Sequence, residues 1–444
     1  MQFLSKSDGS CDGTGGPARG SSPPAPGGGW PCYNWRMKPT TAAVGSDCLV
    51  VIAVLVEGPA RAATLLVPEE QPTIEGALAA AAFGDTVSIA PGTYYEHDLV
   101  WPPGVSILGR GLGAEDVVID AQFQGRVMGG EELVSSNELG FLTIRNGDAA
   151  GYYGSGLKVA GSPNLHDLII EECRNSFGGV GMYCIGSPHI VDSAFINNGS
   201  TELESIGGGL FLNGDQSGPV LENVVFADNT AGSGGGLFYG GHFGTLLNVR
   251  FQDNTAARDG GGARFADMGS DTDGPVVQRC VFARNHAGNT GGGVEAYANV
   301  VMVECTLVGN SAEYAYGAGG GFMSSSYWDL QNTPRLFRCI VANNEGGGVG
   351  LRDAPQILLE CCDVCGNVGG DYVWNQADWT GVNGNISEDP LFCDVAGADL
   401  YPIQLDSPCA PTGNDCKVLM GAFEVGCEGT ATESRSWSSI KALY

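Results

Sequence analysis

"FADNTAGSGGGLFYGGHFGTLLNVRFQDNTAARDGGGARF" (residues 226–265) says nearly the same thing twice. A Phe is followed three residues later by Asn, then after a short gap by three glycines and an apolar pair. Followed outward, the Phe or an aliphatic substitute precedes Asn at Phe195/Asn198, Phe226/Asn229, Phe251/Asn254, Phe282/Asn285, Leu307/Asn310, Val341/Asn344 and Val364/Asn367. The steps between the Asn residues are 31, 25, 31, 25, 34 and 23. Glycine triplets begin at Gly207, Gly234, Gly260, Gly291, Gly319 and Gly346, with a weaker version at Gly178. Self-similarity of this period marks a repeat architecture.

A βαβ unit needs a helical pattern between its strands, and none of these gaps has one. Each unit instead holds two or three short apolar runs separated by Gly, Asn, Asp and Ser, with the alternation of half-buried strands in "VVQRCVF" and "NVVMVECTLV". Such a chain buries its apolar residues by winding, each coil laying its strands parallel on the coil before. Equivalent residues then lie about 4.8 Å apart from coil to coil. The repeated Asn is expected to enter the left-handed backbone region of a tight corner, and its amide to bond to the next Asn of a ladder formed by Asn198, Asn229, Asn254, Asn285, Asn310, Asn344 and Asn367. The glycines permit positive φ and close approach of backbone.

This grammar resembles the right-handed parallel β-helix of the pectin-lyase-like superfamily, and the FxxN plus GGG phrase is similar to polymorphic outer-membrane protein repeats. "IEGALAAAAFGDTVSIAPGTYYE" (Ile74 to Glu96) resembles the cap helix and first coil of secreted β-helix proteins, and "VVIDAQFQGRVM" their second coil. "GNISEDPLFCD" and "DSPCAPTGNDCKVLMGAFEVGC" resemble the closing segment of bacterial secreted members. The resemblance spans residues 65–428 and implies fold alone, because this scaffold hosts lyases, hydrolases, epimerases, adhesins and passive surface proteins.

The expected layout is residues 1–36 disordered or upstream of the true start, 37–62 a signal peptide, 63–390 an all-β parallel β-helix with an N-terminal cap, 391–428 a Cys-rich closing segment and 429–444 a tail. The helix is expected to hold ~11 or 12 coils and to run for ~55 Å. Lys38, the apolar run "CLVVIAVLV" (Cys48 to Val56) and "ARA" (Ala60 to Ala62) supply the three regions of an export signal. The apolar run is too short to span a bilayer. With 21 Lys and Arg against 50 Asp and Glu, the net charge of −29 excludes nucleic acid as a partner and disfavours polyanionic sugars unless Ca²⁺ bridges them. The expectation is an exported bacterial protein, secreted or on the cell surface and monomeric, with no cofactor except possible Ca²⁺.

Twelve of the 15 cysteines lie beyond the expected cleavage point. Cys280, Cys305, Cys339 and Cys362 each stand five residues before a ladder Asn, which predicts an inward column of free thiols. Cys393, Cys409, Cys416 and Cys427 lie in loop-rich sequence that gains most from cross-links, so two disulfides are expected among them, their connectivity open. Cys362 and Cys365 form a CxxC with no second pair or His to complete a zinc site. Asp271 and Asp273 of "DTDG" are weak Ca²⁺ candidates.

Catalysis on such a scaffold needs carboxylates and a base at one phase of consecutive coils. The residues that follow the glycine triplets, Leu210, Leu237, Ala263, Val294, Phe322 and Val349, are of core type. His166, His189, His242 and His286 occupy different phases, and Lys158, Arg174 and Arg352 stand isolated. The longest unit, between Asn310 and Asn344, carries Tyr314, Tyr316, Tyr327 and Trp328 on inserted loops, where aromatic faces could stack on sugar rings or anchor a protein. "DYVWNQADW" (Asp371 to Trp379) reads as a cover for the end of the coil stack. The expected function is non-catalytic presentation of loops for adhesion or carbohydrate binding, to a polysaccharide or a surface protein. The alternatives are a polysaccharide lyase, glycoside hydrolase or epimerase working in a groove, and a purely structural surface protein.

Overall fold

A computed structural model describes residues 62–427 except 175–176, 215–217, 242, 267–273, 315–317, 327–332, 354–355 and 394–400. The expected export signal, the leader before it and the tail after Cys427 lie outside the described residues.

The described chain is a parallel β-solenoid of three sheets, with 21, 11 and 4 strands. Register follows the repeat: Phe195, Phe226, Phe251, Phe282, Leu307, Val341 and Val364 pair in succession along the first sheet. The four rings lie face to face with centroids 4.9, 4.9 and 4.6 Å apart and planes within 9° of parallel. All four are buried, and each such ring contributes roughly 2–3 kcal/mol by leaving water.

Beside the rings runs the Asn ladder. Each amide oxygen from Asn229 to Asn367 accepts both the backbone N–H and the Nδ2–H of the preceding Asn, at 2.9–3.1 Å. Each Nδ2 also donates to the carbonyl of the anchor residue one coil earlier, as Asn254 does to Phe226 at 2.9 Å. The first amide, Asn198, accepts from the Cys173 N–H. The last, Asn367, donates twice to Asp371 Oδ1, so the aligned amide dipoles end on a carboxylate.

One expectation is corrected. The ladder Asn is not the left-handed residue; its predecessor is, at Asn197, Asp228, Asp253, Arg284, Gly309, Asn343 and Gly366, with φ between 50° and 66°. A second left-handed position lies five residues earlier in each coil, as at Asn223, Asn248 and Arg279. The two corners bracket the Phe strand. The ladder amide must point inward to reach its neighbours, and the preceding residue makes the bend that lets it.

At the N-terminal end a helix, Ile74–Ala80, buries Ile74, Ala77 and Leu78 against the first coils. Thr73 Oγ1 caps it by accepting the Gly76 N–H, and the Glu96 carboxylate accepts from Ile74 and Glu75, satisfying donors that the helix leaves open. At the other end Tyr372–Trp374 is the last strand of the second sheet rather than a cover, and Trp379 packs on the core.

The Cys-rich segment lies along the flank of the first sheet. Ile403, Cys409, Ala410 and Met420 cluster with Ile340 and Ala342, while Tyr401 and Phe423 pack on Val281, Ala283 and Val308. Two disulfides hold it, Cys361–Cys416 and Cys393–Cys427. Here the expected set of four is corrected: Cys409 is a buried thiol and Cys361 takes its place. Cys361 occupies a left-handed corner, which turns its side chain out of the coil toward the segment. Cys280, Cys305, Cys339 and Cys362 form the inward column as free thiols, and burial raises the pKa of the last three well above the ordinary range.

Candidate functional site

The second sheet carries the site. Leu210, Leu237, Ala263, Val294, Phe322 and Val349 face the core, as their type requires. The next residue in each strand points out of the coil, and strand alternation sets these in one row: Lys158, Tyr183, Phe211, Phe238, Arg264, Glu295, Met323 and Gly350 are successive register partners, of which Phe211, Glu295 and Met323 are themselves buried.

The first part of the row is aromatic. Tyr153, from the loop before the strand of Lys158, stacks on Tyr183 with centroids 4.7 Å apart. Phe211 follows at 5.0 Å, tilted by 47°, and Phe238 at 5.3 Å stands edge-on at 83°. Phe211 is buried between its neighbours, and Tyr183 and Phe238 are half-buried. Around them Tyr152 is 72 % exposed, Phe177 51 %, Ile185 44 % and Tyr153 42 %. Exposed apolar groups gathered this way mark a contact surface more often than scattered ones do. Arg126 pins the Tyr153 loop by donating to the carbonyls of Tyr153 and Gly154, and Lys158 pairs with Glu131 at 3.0 Å.

The second part is charged. Arg264 places its guanidinium 5.6 Å from the Phe238 ring centre and 4.9 Å from that of Tyr297, joining the aromatic strip to the polar cluster. It donates to Ser233 and pairs with Asp259, whose Oδ1 also accepts from Asn289 and Thr290. Glu295 is wholly buried, and among the described residues neither of its carboxylate oxygens has a hydrogen-bond partner. Burial, with the Asp259 charge added, pushes its pKa up to about 7; Ser325, Thr290 and Arg264 favour the anion without closing a bond to it. Arg352 donates to the Tyr297 hydroxyl at 3.0 Å. Burial works against its charge, but Tyr297, Glu295 and Asp259 outweigh it and raise the pKa.

The sign of the Glu295 effect is definite. Its pKa is higher folded than unfolded, so the folded protein loses stability as pH rises from about 4.5 toward 7. Glu295→Gln is therefore expected to stabilise the protein at pH 8 by about 2–3 kcal/mol and to change little at pH 4, measured by thermal unfolding at both. Equal effects at the two pH values would refute this reading of the residue.

The sequence-derived candidates fare unevenly. Tyr314 is partly exposed and stacks on Trp374 with centroids 5.6 Å apart. Tyr316, Tyr327, Trp328, Asp271, Asp273 and His242 lie outside the described residues. His166 sits between Glu138 and Asp167 at 2.9 and 3.0 Å, and His286 meets Ser311 at 3.0 Å. Arg174 pairs with Asp148 and covers the Phe123 ring, so neither it, Lys158 nor Arg352 is isolated. Asp259, Arg264 and Glu295 are not among the sequence-derived candidates; Arg264 and Glu295 directly follow Ala263 and Val294, the inward residues after their glycine triplets. The next position along was the informative one.

Residues 133–333 match the family model for the right handed beta helix region. Nothing among curated proteins or among solved structures matches the chain.

Proposed function

We propose, for a chain that is a right-handed parallel β-helix protein, that it is exported and acts without catalysis by binding an uncharged glycan along the outward face of its second sheet. The observation that carries this reading is the run Tyr153, Tyr183, Phe211 and Phe238, one ring per coil at 4.7–5.3 Å spacing. A linear polysaccharide lying parallel to the axis follows this strip, its apolar C–H faces against the exposed parts of Tyr153, Tyr183 and Phe238, which the buried Phe211 ring supports, and its hydroxyls toward the flanking polar groups. The acidic charge of the chain disfavours polyuronates in the same groove. The loops of the longest repeat become secondary to this strip.

The test is retention on a panel of insoluble and arrayed uncharged glycans. Binding is expected to fall at least about tenfold in Tyr183→Ala and in Phe211→Ala, the loss of roughly 1.4 kcal/mol or more that one buried aromatic contact supplies. Wild-type strength in both variants, or no glycan bound by the wild type, sinks the proposal.

One observation favours a second reading, hydrolysis or elimination at the charged end of the strip. A carboxylic acid tuned near neutrality beside a second carboxylate and two guanidinium groups is the composition of an acid–base site. Release of reducing ends or unsaturated sugar by the wild type, abolished in Glu295→Gln, would replace binding by catalysis as the function.

A further inference from the structure

A cleft opens on the outer surface of the first sheet. Its floor is laid by three short strands in register, Val301–Val303, Arg335–Phe337 and Leu358–Glu360. Their middle residues, Met302, Leu336 and Leu359, are buried in the core, so alternation turns Val303, Phe337 and Glu360 outward in one row. The residue after each strand makes a left-handed corner, and two of these corner residues, Arg338 and Cys361, line the cleft. Val418 completes the lining. Its position is fixed twice over: Cys416 is bonded to Cys361, and the Asn414 amide accepts the Val418 N–H at 3.4 Å and donates to its carbonyl at 2.9 Å. The Gly421 N–H then donates to the Arg338 carbonyl at 2.8 Å. The cleft so built has a volume of about 290 Å³.

We propose that this cleft binds a free α-amino acid with an apolar side chain. Two charged groups line it, and both have bonding capacity left. Arg338 Nη2 lies 3.0 Å from Glu304 Oε1, its side chain is 38 % exposed, and among the described residues its Nε has no hydrogen-bond partner. Glu360 is exposed, and among the described residues no cation pairs with its carboxylate. The apolar lining, Val303, Phe337 and Val418, is half-buried. A simple anion would meet the Glu360 carboxylate and the net charge of −29, and a simple cation would meet the Arg338 guanidinium. A neutral apolar molecule would cover both charges and leave them unpaired. A zwitterion with an apolar body answers all three objections. Its carboxylate accepts from the Arg338 fork, its ammonium donates to Glu360, and its side chain lies on the apolar lining. The volume is at the lower limit of small-molecule sites, roughly 300–1,000 Å³, which restricts the ligand to about one amino acid. This inference concerns the first sheet and does not rest on glycan binding at the second.

Ligand-observed NMR titration of the full chain with L-leucine and with L-phenylalanine tests the assignment. Saturable binding of at least one is expected, with a dissociation constant of about 1 mM or lower. N-acetyl-leucine, which lacks the ammonium, and leucinamide, which lacks the carboxylate, should each bind at least about tenfold more weakly. Glu360→Gln and Arg338→Gln should each lower the affinity for the free amino acid at least about tenfold, whereas Tyr183→Ala, on the second sheet, should bind it as the wild type does. Because Glu360 is exposed, its variant keeps the test open even where loss of the Arg338–Glu304 pair disturbs the corner. No saturation by either amino acid up to about 20 mM, equal binding of the blocked forms, or wild-type affinity in Glu360→Gln overturns the proposal.

Discussion

Gly261→Ala is expected to destabilise the coil stack by about 4 kcal/mol or more, enough to abolish folding in a marginal background. A Cβ at this position would sit 2.4 Å from the Gly292 carbonyl oxygen and 2.4 Å from that of His286. Both obstacles are backbone of the next coil, which the Asn ladder and the parallel strands hold at fixed spacing. No rotamer change relieves the clash, so the coils must separate and weaken several contacts together. Gly240→Ala is the control, because its nearest neighbours are ring carbons of Phe238 and Phe211 at 3.7 and 3.8 Å, ordinary contacts. It should cost less than about 1 kcal/mol. Denaturant unfolding of the two variants measures the difference, and similar midpoints would mean that the second glycine of the triplet is not a steric requirement.

Asn254→Ala is expected to cost about 3–5 kcal/mol, the second large effect. The amide donates to Phe226 O and to Asn285 Oδ1, and accepts both the N–H and the Nδ2–H of Asn229. Truncation strands the buried Phe226 carbonyl and the Asn229 N–H with no water to replace the lost partner, and a penalty for unpaired groups exceeds the net worth of the bonds themselves. Asn254→Asp should not rescue, since it restores the acceptor but not the donors and buries a charge. Calorimetric unfolding of both variants checks this; a loss under 1 kcal/mol in Asn254→Ala would show that the ladder is a consequence of stacking rather than a contributor to it.

The two results have one origin. The repeat is legible in sequence because inward positions and tight corners tolerate few residue types, so Phe, Asn and Gly recur wherever the coil returns to the same phase. The left-handed corner was assigned to the wrong neighbour for a related reason. Asn suits both jobs, and only the backbone shows that Asp253 turns, with φ 55°, while Asn254 bonds. Outward positions carry no comparable restriction. Tyr183, Phe211, Phe238, Arg264 and Glu295 share one row but pass from aromatic to charged along it, so no recurring residue type marks the row as a unit.

Sequence alone determined the parallel β-helix, its axis of repetition, the inward Phe and Cys columns and the Asn ladder, because each is a local preference repeated in step and each copy supports the reading of the others. Tertiary structure alone decided that Asp259, Arg264, Glu295 and Arg352 form one cluster, that Cys361 and not Cys409 is cross-linked, and that the C-terminal segment straps the flank of the first sheet. Those relations join residues that meet once rather than in every coil. Coil lengths vary from turn to turn, so the phase at which distant outward side chains face one another is fixed by the accumulated winding of the chain and not by any stretch of it.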